Sequence, residues 1–334
     1  MKKSVLFSLL ATCALFLAYA GFELFVPVQS VGKNTEIQIP KGATFRQAAD
    51  ILVREKLIRD KKIFMVLGRL TGADRKIRAG FYSVWTSMSP FEIFKIIQRG
   101  KIIEFEVKIL EGDSLREISE AFAKTGIATQ EEVMNLAYNK DFLSLYDITS
   151  PSIEGYLYPD TYLIAKGVNL EDALGLMIDR MREKFDDELR ARAESIGMTE
   201  AEVLSLASIV EKEAVVDSER PVIAAVYHNR LKKHMLLQAD PTSIYGVKSS
   251  KEKIVKADLQ RQTPYNTYVN KGLPPGPIAS PSLKSIVAAV NPAKVSYLYF
   301  VSNNDGTHVF SDNLGQHTEA VRAYRDKKRM KEEG

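Results

Sequence analysis

The chain has 334 residues, of which 45 % are hydrophobic and 26 % are charged, and this balance excludes wholesale disorder and a multi-span membrane protein. The 46 Lys and Arg residues exceed the 42 Asp and Glu residues by only +4, which argues against a dedicated nucleic-acid-binding protein. The one cysteine, Cys13, leaves no disulfide or cysteine metal cluster within a single chain. The length predicts roughly two domains, each large enough to bury a core.

The N-terminal segment 4–25 is apolar apart from Glu23. As a helix its 22 residues would measure roughly 33 Å, enough to cross a hydrocarbon layer of about 30 Å. Lys2 and Lys3 precede it and the next basic residue is Lys33, so the positive-inside rule predicts a cytoplasmic N-terminus. We expect a single-pass protein of the cell (inner) membrane whose body lies on the periplasmic or outer side. The predicted segments are a stub at 1–3, an anchor at 4–26 and a linker at 27–34.

Two other fates of this segment compete with a retained anchor. The run Ala18-Tyr19-Ala20 has the form of a signal-peptidase site, and cleavage there would release the body as a soluble protein. The apolar residues 22–26 continue past that site, which favours the anchor. Lipidation of Cys13 is disfavoured because the apolar stretch before it is short and Thr12 is a poor preceding residue.

An internal repeat follows, since segment 37–46 matches segment 107–116. In each copy an alternating apolar strand ends at a glycine turn, and then Thr44 or Ser114 caps a helix. The first copy continues through a second helix and a strand, an order that resembles the LysM glycan-binding module. We therefore expect a LysM-like α+β module at 35–102 and a second LysM-like repeat at about 107–140. Any small α+β unit can produce this pattern, so sugar binding stays open.

Familiar catalytic signatures are absent from the sequence, including nucleophile elbows, Walker loops, dinucleotide fingerprints and zinc-binding helices. The histidines do not have metal-ligand spacing, and we expect them at the surface or at helix caps. They are His228, His234, His308 and His317. The sequence therefore predicts neither a metal nor a cofactor.

One helix is unusually well marked. Thr199 and Glu202 form a capping box, and apolar residues at helical spacing over 203–214 predict a buried stripe. Glu211 and Glu213 border that stripe on opposite sides, in directions roughly 160° apart. A carboxyl group against apolar neighbours has a raised pKa and can donate a proton, as acid-catalysed glycosidic cleavage requires. The pattern leaves open which carboxyl does so, and by itself it is more typical of a solvated helix edge than of a catalytic group.

Several motifs then occur in a specific order. They are EGYLYPDTY at 154–162, SIVEKEA at 208–214, NRL at 229–231, LQADPT at 237–242, PYNTY at 264–268, GLPPGPI at 272–278 and YLYFV at 297–301. Together they resemble the YceG/MltG family, the membrane-anchored endolytic murein transglycosylases, from the anchor to about Tyr324.

The resemblance implies cleavage of the β-1,4 bond between N-acetylmuramic acid and N-acetylglucosamine inside nascent peptidoglycan strands. The products would carry 1,6-anhydromuramyl ends, strand elongation would stop, and peptidoglycan synthases would be partners. It also assigns the general acid/base role to the first glutamate of E-K-E, Glu211. A non-catalytic peptidoglycan-binding scaffold and a hydrolytic muramidase remain as alternatives.

The other motif residues divide between substrate binding and scaffolding. The tyrosines offer aromatic faces, and their hydroxyls and the amide side chains offer hydrogen-bonding groups, as saccharide clefts do. The same side chains suit ordinary packing equally well. Asn229 can hold either a loop or a sugar acetamide, and Asp240 before a proline is typical of a turn. The substrate-binding candidates are Glu213, Asn229, Asp240, Thr242, Tyr245, Tyr265, Asn266, Thr267 and Tyr268.

No repeated βαβ order is present, so the predicted class is α+β, with the catalytic domain at 103–326. Ser280-Pro281 predicts the start of a helix that ends before Asn291. A hairpin over 295–310 with an Asn-Asp-Gly turn, and then a final helix, close the domain. Residues 327–334 form a basic tail, expected as a solvated helix end.

Overall fold

The computed structural model describes residues 2–75, 77–249 and 252–333, so Met1 of the predicted stub and Gly334 of the predicted tail lie outside it. The strands are β1 (Asn34–Ile39), β2 (Gly80–Trp85), β3 (Glu104–Lys108), β4 (Thr161–Ala165), β5 (Tyr299–Ser302) and β6 (His308–Ser311). The helices are α1 (Lys2–Phe25), α2 (Phe45–Arg54), α3 (Lys61–Thr71), α4 (Pro90–Gln98), α5 (Leu115–Thr125), α6 (Gln130–Ala137), α7 (Lys140–Leu145), α8 (Leu170–Lys184), α9 (Asp187–Ser195), α10 (Glu200–Glu213), α11 (Arg220–Lys232), α12 (Asp240–Ile244), α13 (Lys256–Leu259), α14 (Leu283–Val290) and α15 (Leu314–Glu333). Helices and small two-stranded sheets together confirm the predicted mixture of helix and sheet.

Helix α1 contains the predicted apolar segment. Its stretch Lys3–Phe25 has 23 residues and a mean hydropathy of 2.1, which is long and apolar enough to cross a membrane. Most of its apolar side chains are exposed rather than packed in a core, Phe7 and Leu15 being more than 70 % exposed. A signal sequence near an N-terminus has the same length and composition, so both alternatives from the sequence remain.

Residues Met1–Glu106 and Leu163–Val168 form one compact unit, which we call unit 1. Its β1 and β2 pair antiparallel, with Asn34 opposite Trp85 at one end and Ile39 opposite Gly80 at the other. Helices α2, α3 and α4 bury their apolar faces in its core, as the helical spacing predicts. The largest buried side chains of this core are Phe45, Leu52, Phe64, Tyr82, Ile93, Phe94 and Ile97.

Residues Val107–Tyr162 and Asn169–Gly334 form a second compact unit, unit 2. Its centre is α10, which packs against α9, α11, α12 and α14. Every residue from Val203 to Val210 is buried, so the single buried stripe predicted for this helix was too narrow. Helices on several sides cover α10, and its buried hydroxyls bond to a neighbouring loop, since Ser205 Oγ donates to Gly276 O and Ser208 Oγ accepts from Ile278 N.

The chain around α10 is closely packed. Gly155 has φ +78°, and a Cβ atom there would lie 2.3 Å from Pro277 Cβ, so this turn requires glycine. Helix α14 begins at Leu283 with Ser282 as its N-cap, two residues later than predicted, because the Ser282 hydroxyl accepts from the Ser285 N–H. The hairpin β5–β6 and the final helix α15, which includes residues 327–333 of the basic tail, confirm the predicted C-terminal elements.

Candidate active site

The two glutamates at the end of α10 lie in different surroundings, as their directions on the helix predict. The Glu211 side chain is only 6 % exposed, and its Oε1 lies 3.1 Å from an Arg220 guanidinium nitrogen. Its Oε2 accepts from the backbone N–H and the hydroxyl of Ser282. Glu211 therefore ties the first turn of α11 to the N-terminus of α14, where a negative charge is also stabilised by the helix dipole.

Glu213 faces the other way and is half-buried. The Tyr227 hydroxyl donates to its Oε1 at 3.2 Å, and the Asp240 backbone N–H also bonds to this carboxyl. Burial raises the pKa of Glu213 to about 7, and the nearby negative charge of Asp240 adds to the rise. Near neutral pH this carboxyl is therefore divided between its protonated and ionised forms.

Glu213 lines a cavity of about 390 Å³ within unit 2, a volume within the usual range for ligand pockets. The cavity wall also includes Tyr227, Arg230, Asp240 and Tyr268. Tyr268 Oη donates to Asp240 Oδ1 at 2.5 Å, which fixes this carboxylate in the wall. Among the nine substrate-binding candidates, the structure thus brings together Glu213, Asp240 and Tyr268.

Arg230 supplies the positive charge of this cavity. Its Nε donates to Leu298 O at 2.6 Å and its Nη1 to Leu237 O at 2.8 Å. Its guanidinium also lies 5.1 Å from the ring centroid of Tyr299. These contacts fix the guanidinium of Arg230, which neighbours the sequence candidate Asn229 but was not itself predicted.

Two histidines reach the same cavity, contrary to the expectation that they lie at the surface. His308 Nδ1 lies 2.7 Å from Glu219 Oε2, and the His308 backbone N–H donates to the same carboxylate. The ring of His317 stacks on Tyr299 at 5.1 Å. Burial and the charge of Arg230 lower the pKa of His317. His308 lies on β6 and His317 on α15, and no sequence spacing links them to Glu213.

A second cavity of unit 2, of about 240 Å³, contains another buried carboxyl. Glu154 is 1 % exposed, accepts from the Leu115 backbone N–H at 3.0 Å, and accepts from the Tyr245 hydroxyl at 2.8 Å. Burial raises its pKa to about 7. The ring of Tyr265 lies 4.6 Å from that of Tyr245, so these two predicted cleft tyrosines lie together here rather than beside Glu213.

The remaining sequence candidates are scaffold. Asn229 Nδ2 donates to the carbonyls of Val295 and Tyr297, so it holds a loop. The buried hydroxyls of Thr242 and Thr267 lie 2.8 Å apart and bond to each other. The buried amide of Asn266 donates to three backbone carbonyls within 258–261. Their polar groups are satisfied inside the protein, so these four residues do not face either cavity.

The YceG-like family profile matches residues 37–323, and the chain belongs to this family. The endolytic murein transglycosylase of Bacillus subtilis (strain 168) is 32 % identical over 331 residues, covering 93 % of this chain and 91 % of the relative. The endolytic murein transglycosylase of Streptococcus pneumoniae (serotype 2, strain D39) is 28 % identical, and the alignment covers 96 % of this chain but only 65 % of that longer protein.

The fold is similar to a solved structure. The 2.6 Å crystal structure of a YceG-like protein from Listeria monocytogenes superposes with a TM-score of 0.60 at 32 % sequence identity. The match covers 86 % of this chain and 98 % of the crystallised one. The arrangement of helices and small sheets is thus that of the YceG-like family.

Proposed function

We propose that this protein is an endolytic murein transglycosylase that cuts peptidoglycan strands between N-acetylmuramic acid and N-acetylglucosamine. Two relatives named for this activity align along nearly the whole chain. The observation that carries the chemistry is Glu213, a carboxyl with a pKa of about 7 in a cavity lined by aromatic and polar groups. Such a group can give a proton and take one back at neutral pH.

We assign the general acid/base role to Glu213 rather than to Glu211. The resemblance to the family points to Glu211, but the contacts of Glu211 all go to scaffold groups, Arg220 and Ser282. Glu213 instead lines a cavity, and its pKa is raised to about 7.

The reaction needs only one carboxyl group. The proton of Glu213 goes to the leaving glycosidic oxygen as the bond from that oxygen to muramyl C1 breaks. The muramyl C6 hydroxyl oxygen then bonds to C1 and closes a 1,6-anhydro ring, while its proton returns to the Glu213 carboxylate. No water is consumed and the enzyme ends in its starting protonation state, so a second carboxylate to activate water is unnecessary.

Asp240 has a supporting role in this scheme. Its charge adds to the rise that burial causes in the pKa of Glu213, and negative charge in the cavity also favours the positive charge that develops at C1. Tyr268 holds Asp240 through its hydroxyl, so this effect depends on a fixed geometry. Arg230 is bound to carbonyls of the scaffold and contributes to the shape of the cavity wall.

The test is digestion of purified peptidoglycan by the full chain in detergent, with mass analysis of the released ends. Products one water lighter than hydrolysis products support a transglycosylase, reducing ends indicate a muramidase, and no cleavage by folded protein indicates a binding scaffold. Glu213→Gln should be folded and inactive, whereas Glu211→Gln should keep activity at temperatures where it is folded. An active Glu213→Gln variant together with an inactive, folded Glu211→Gln variant would reverse the assignment.

The location and partners belong to the same proposal. The apolar helix α1 supports a membrane anchor, with Lys2 and Lys3 favouring a cytoplasmic N-terminus and a body on the outer side. A tethered enzyme reaches glycan close to the membrane, where strands are polymerised, which favours peptidoglycan synthases as partners. The strand–helix–helix–strand order of unit 1 supports a LysM-like, glycan-binding role.

A further inference from the structure

The anchor helix does not end in a free linker, because its last two turns are bound to unit 1. The Tyr19 hydroxyl donates to Asp60 Oδ2 at 3.0 Å, which joins α1 to the N-cap of α3. Arg59 donates to Val26 O at 2.9 Å, and its guanidinium lies 5.1 Å from the ring centroid of Phe22. The loop before α3 is therefore held against the end of α1 by both hydrogen bonds and a cation–π contact.

A second helix holds α1 from another direction. The ring of Phe25 lies 5.1 Å from that of Phe91, at the start of α4. Glu23 is only 7 % exposed, so protein covers the side of α1 that carries it, whereas Phe22 and Phe25 keep more than half of their surface exposed. The following segment is also tied down, since Gln29 donates to Lys56 O at 3.3 Å. Contacts with α3 and α4 together fix the direction of α1 relative to the rest of unit 1.

The free length of α1 is short for a membrane span. Side chains are exposed from Ser4 to Tyr19, and unit 1 begins to cover the helix at Ala20. These 16 residues measure about 24 Å along the helix axis, whereas the hydrocarbon layer is about 30 Å thick. A span of ordinary length must therefore include residues that unit 1 already contacts, so no gap is left between unit 1 and the bilayer.

We propose that the end of unit 1 nearest to the anchor rests on the headgroups of the membrane that α1 crosses. We define this anchor-proximal end as residues 26–34, 55–62 and 85–91. The register of β1 and β2 identifies it, because Asn34 and Trp85 lie at the strand end reached directly from α1. The two ends of these strands lie about 17 Å apart, and Lys41 follows the end opposite to Asn34.

The composition of the anchor-proximal end fits anionic phospholipid. It carries five basic residues against two acidic ones, Glu55 and Asp60, and the basic residues are Lys33, Lys56, Arg59, Lys61 and Lys62. Of these, Lys61 also pairs with Asp50 on α2. Val31 is 77 % exposed there and Trp85 is 49 % exposed. Tryptophan and basic side chains are the residues enriched at membrane interfaces, and basic clusters attract anionic headgroups.

The inference rests on the proposed anchoring, and one experiment separates the two. The full chain with Cys13→Ser receives a single fluorescent label through either Lys62→Cys or Lys41→Cys, a pair matched in chemistry and exposure. Each protein is placed in nanodiscs of anionic phospholipid that carry a quencher on the headgroup. We expect the label at position 62 to lose most of its emission and the label at position 41 to keep most of it.

Two outcomes overturn the proposal in different ways. Equal emission from positions 62 and 41 in protein that co-elutes with the discs refutes headgroup contact while leaving the anchor intact. Protein that does not co-elute with the discs refutes both anchoring and headgroup contact. If zwitterionic lipid replaces the anionic lipid, quenching at position 62 should weaken, since the basic residues then lose their partner charge.

Discussion

Replacing Glu213 with glutamine removes an ionisable group from the cavity and keeps nearly the same shape. The folded protein binds the Glu213 proton more tightly than the unfolded chain, because burial raises its pKa from 4.5 to about 7. The stabilisation from this group is therefore complete below pH 4.5 and is lost as pH rises through 7. That difference in pKa corresponds to about 3 kcal/mol.

The Glu213→Gln variant should consequently be more stable than the natural chain at alkaline pH. From linkage, the gain is about 1 kcal/mol at pH 5 and about 3 kcal/mol at pH 8. For a domain the size of unit 2, the pH 8 gain corresponds to a rise of about 6–12 °C in Tm. Thermal unfolding of both full chains in detergent, followed by circular dichroism at the two pH values, measures this directly.

Glu211→Gln is the matched control and should act in the opposite direction. It breaks the buried pair with Arg220, in which both side chains are under 10 % exposed, and leaves the guanidinium with the more exposed Asp217 as its carboxylate partner. Loss of one partner of a buried ion pair costs about 3–5 kcal/mol, so we expect a lower Tm at both pH values. A Glu213→Gln variant that gains no stability between pH 5 and pH 8, relative to the natural chain, refutes the reasoning.

Three further predictions concern the cavity and its scaffold. Asp240→Asn removes the charge that raises the pKa of Glu213, so the alkaline limb of the activity–pH profile should move to lower pH; an unmoved limb contradicts the assigned acid. Asn266→Ala removes a buried amide that donates to three backbone carbonyls, two of which also accept from backbone N–H groups, and it should lower the free energy of unfolding by about 1–3 kcal/mol, measured by denaturant titration; an unchanged value shows that water replaces the amide. Gly155→Ala places a methyl group 2.3 Å from Pro277 at φ +78°, so we expect the free energy of unfolding to fall by about 1 kcal/mol or more. A Tm equal to that of the natural chain would show that this loop shifts freely.

Local features could be predicted from the sequence. The capping box of Thr199 and Glu202 forms as expected, since both partners lie within four residues. The opposite directions of Glu211 and Glu213 also follow from helix geometry alone. The predicted start of α14 was wrong, because the Ser282 hydroxyl caps this helix two residues after the predicted start.

The environment of each carboxyl could not be predicted in the same way. Whether Glu211 or Glu213 becomes ion-paired depends on which side meets Arg220 and which meets Tyr227, and both lie on the next helix, α11. The two histidines of the cavity come from β6 and α15, about 100 residues further along the chain. Only tertiary packing brings such segments together, and the periodicity of apolar residues in a single sequence does not show which distant segments pack together.

The two glutamates show why burial and pairing must be considered together when a catalytic group is sought. A glutamine at position 211 would lose one of the two carboxylates that pair with Arg220, so the glutamate there contributes to stability. A glutamine at position 213 could still accept from Tyr227 and from the Asp240 backbone, and it would avoid the destabilisation above pH 7. Structure alone therefore does not explain a glutamate at 213. A group that lowers stability at working pH and lines a cavity is expected where proton transfer is needed, because activity commonly requires such locally unfavourable groups, and Glu154 shares these features with Glu213.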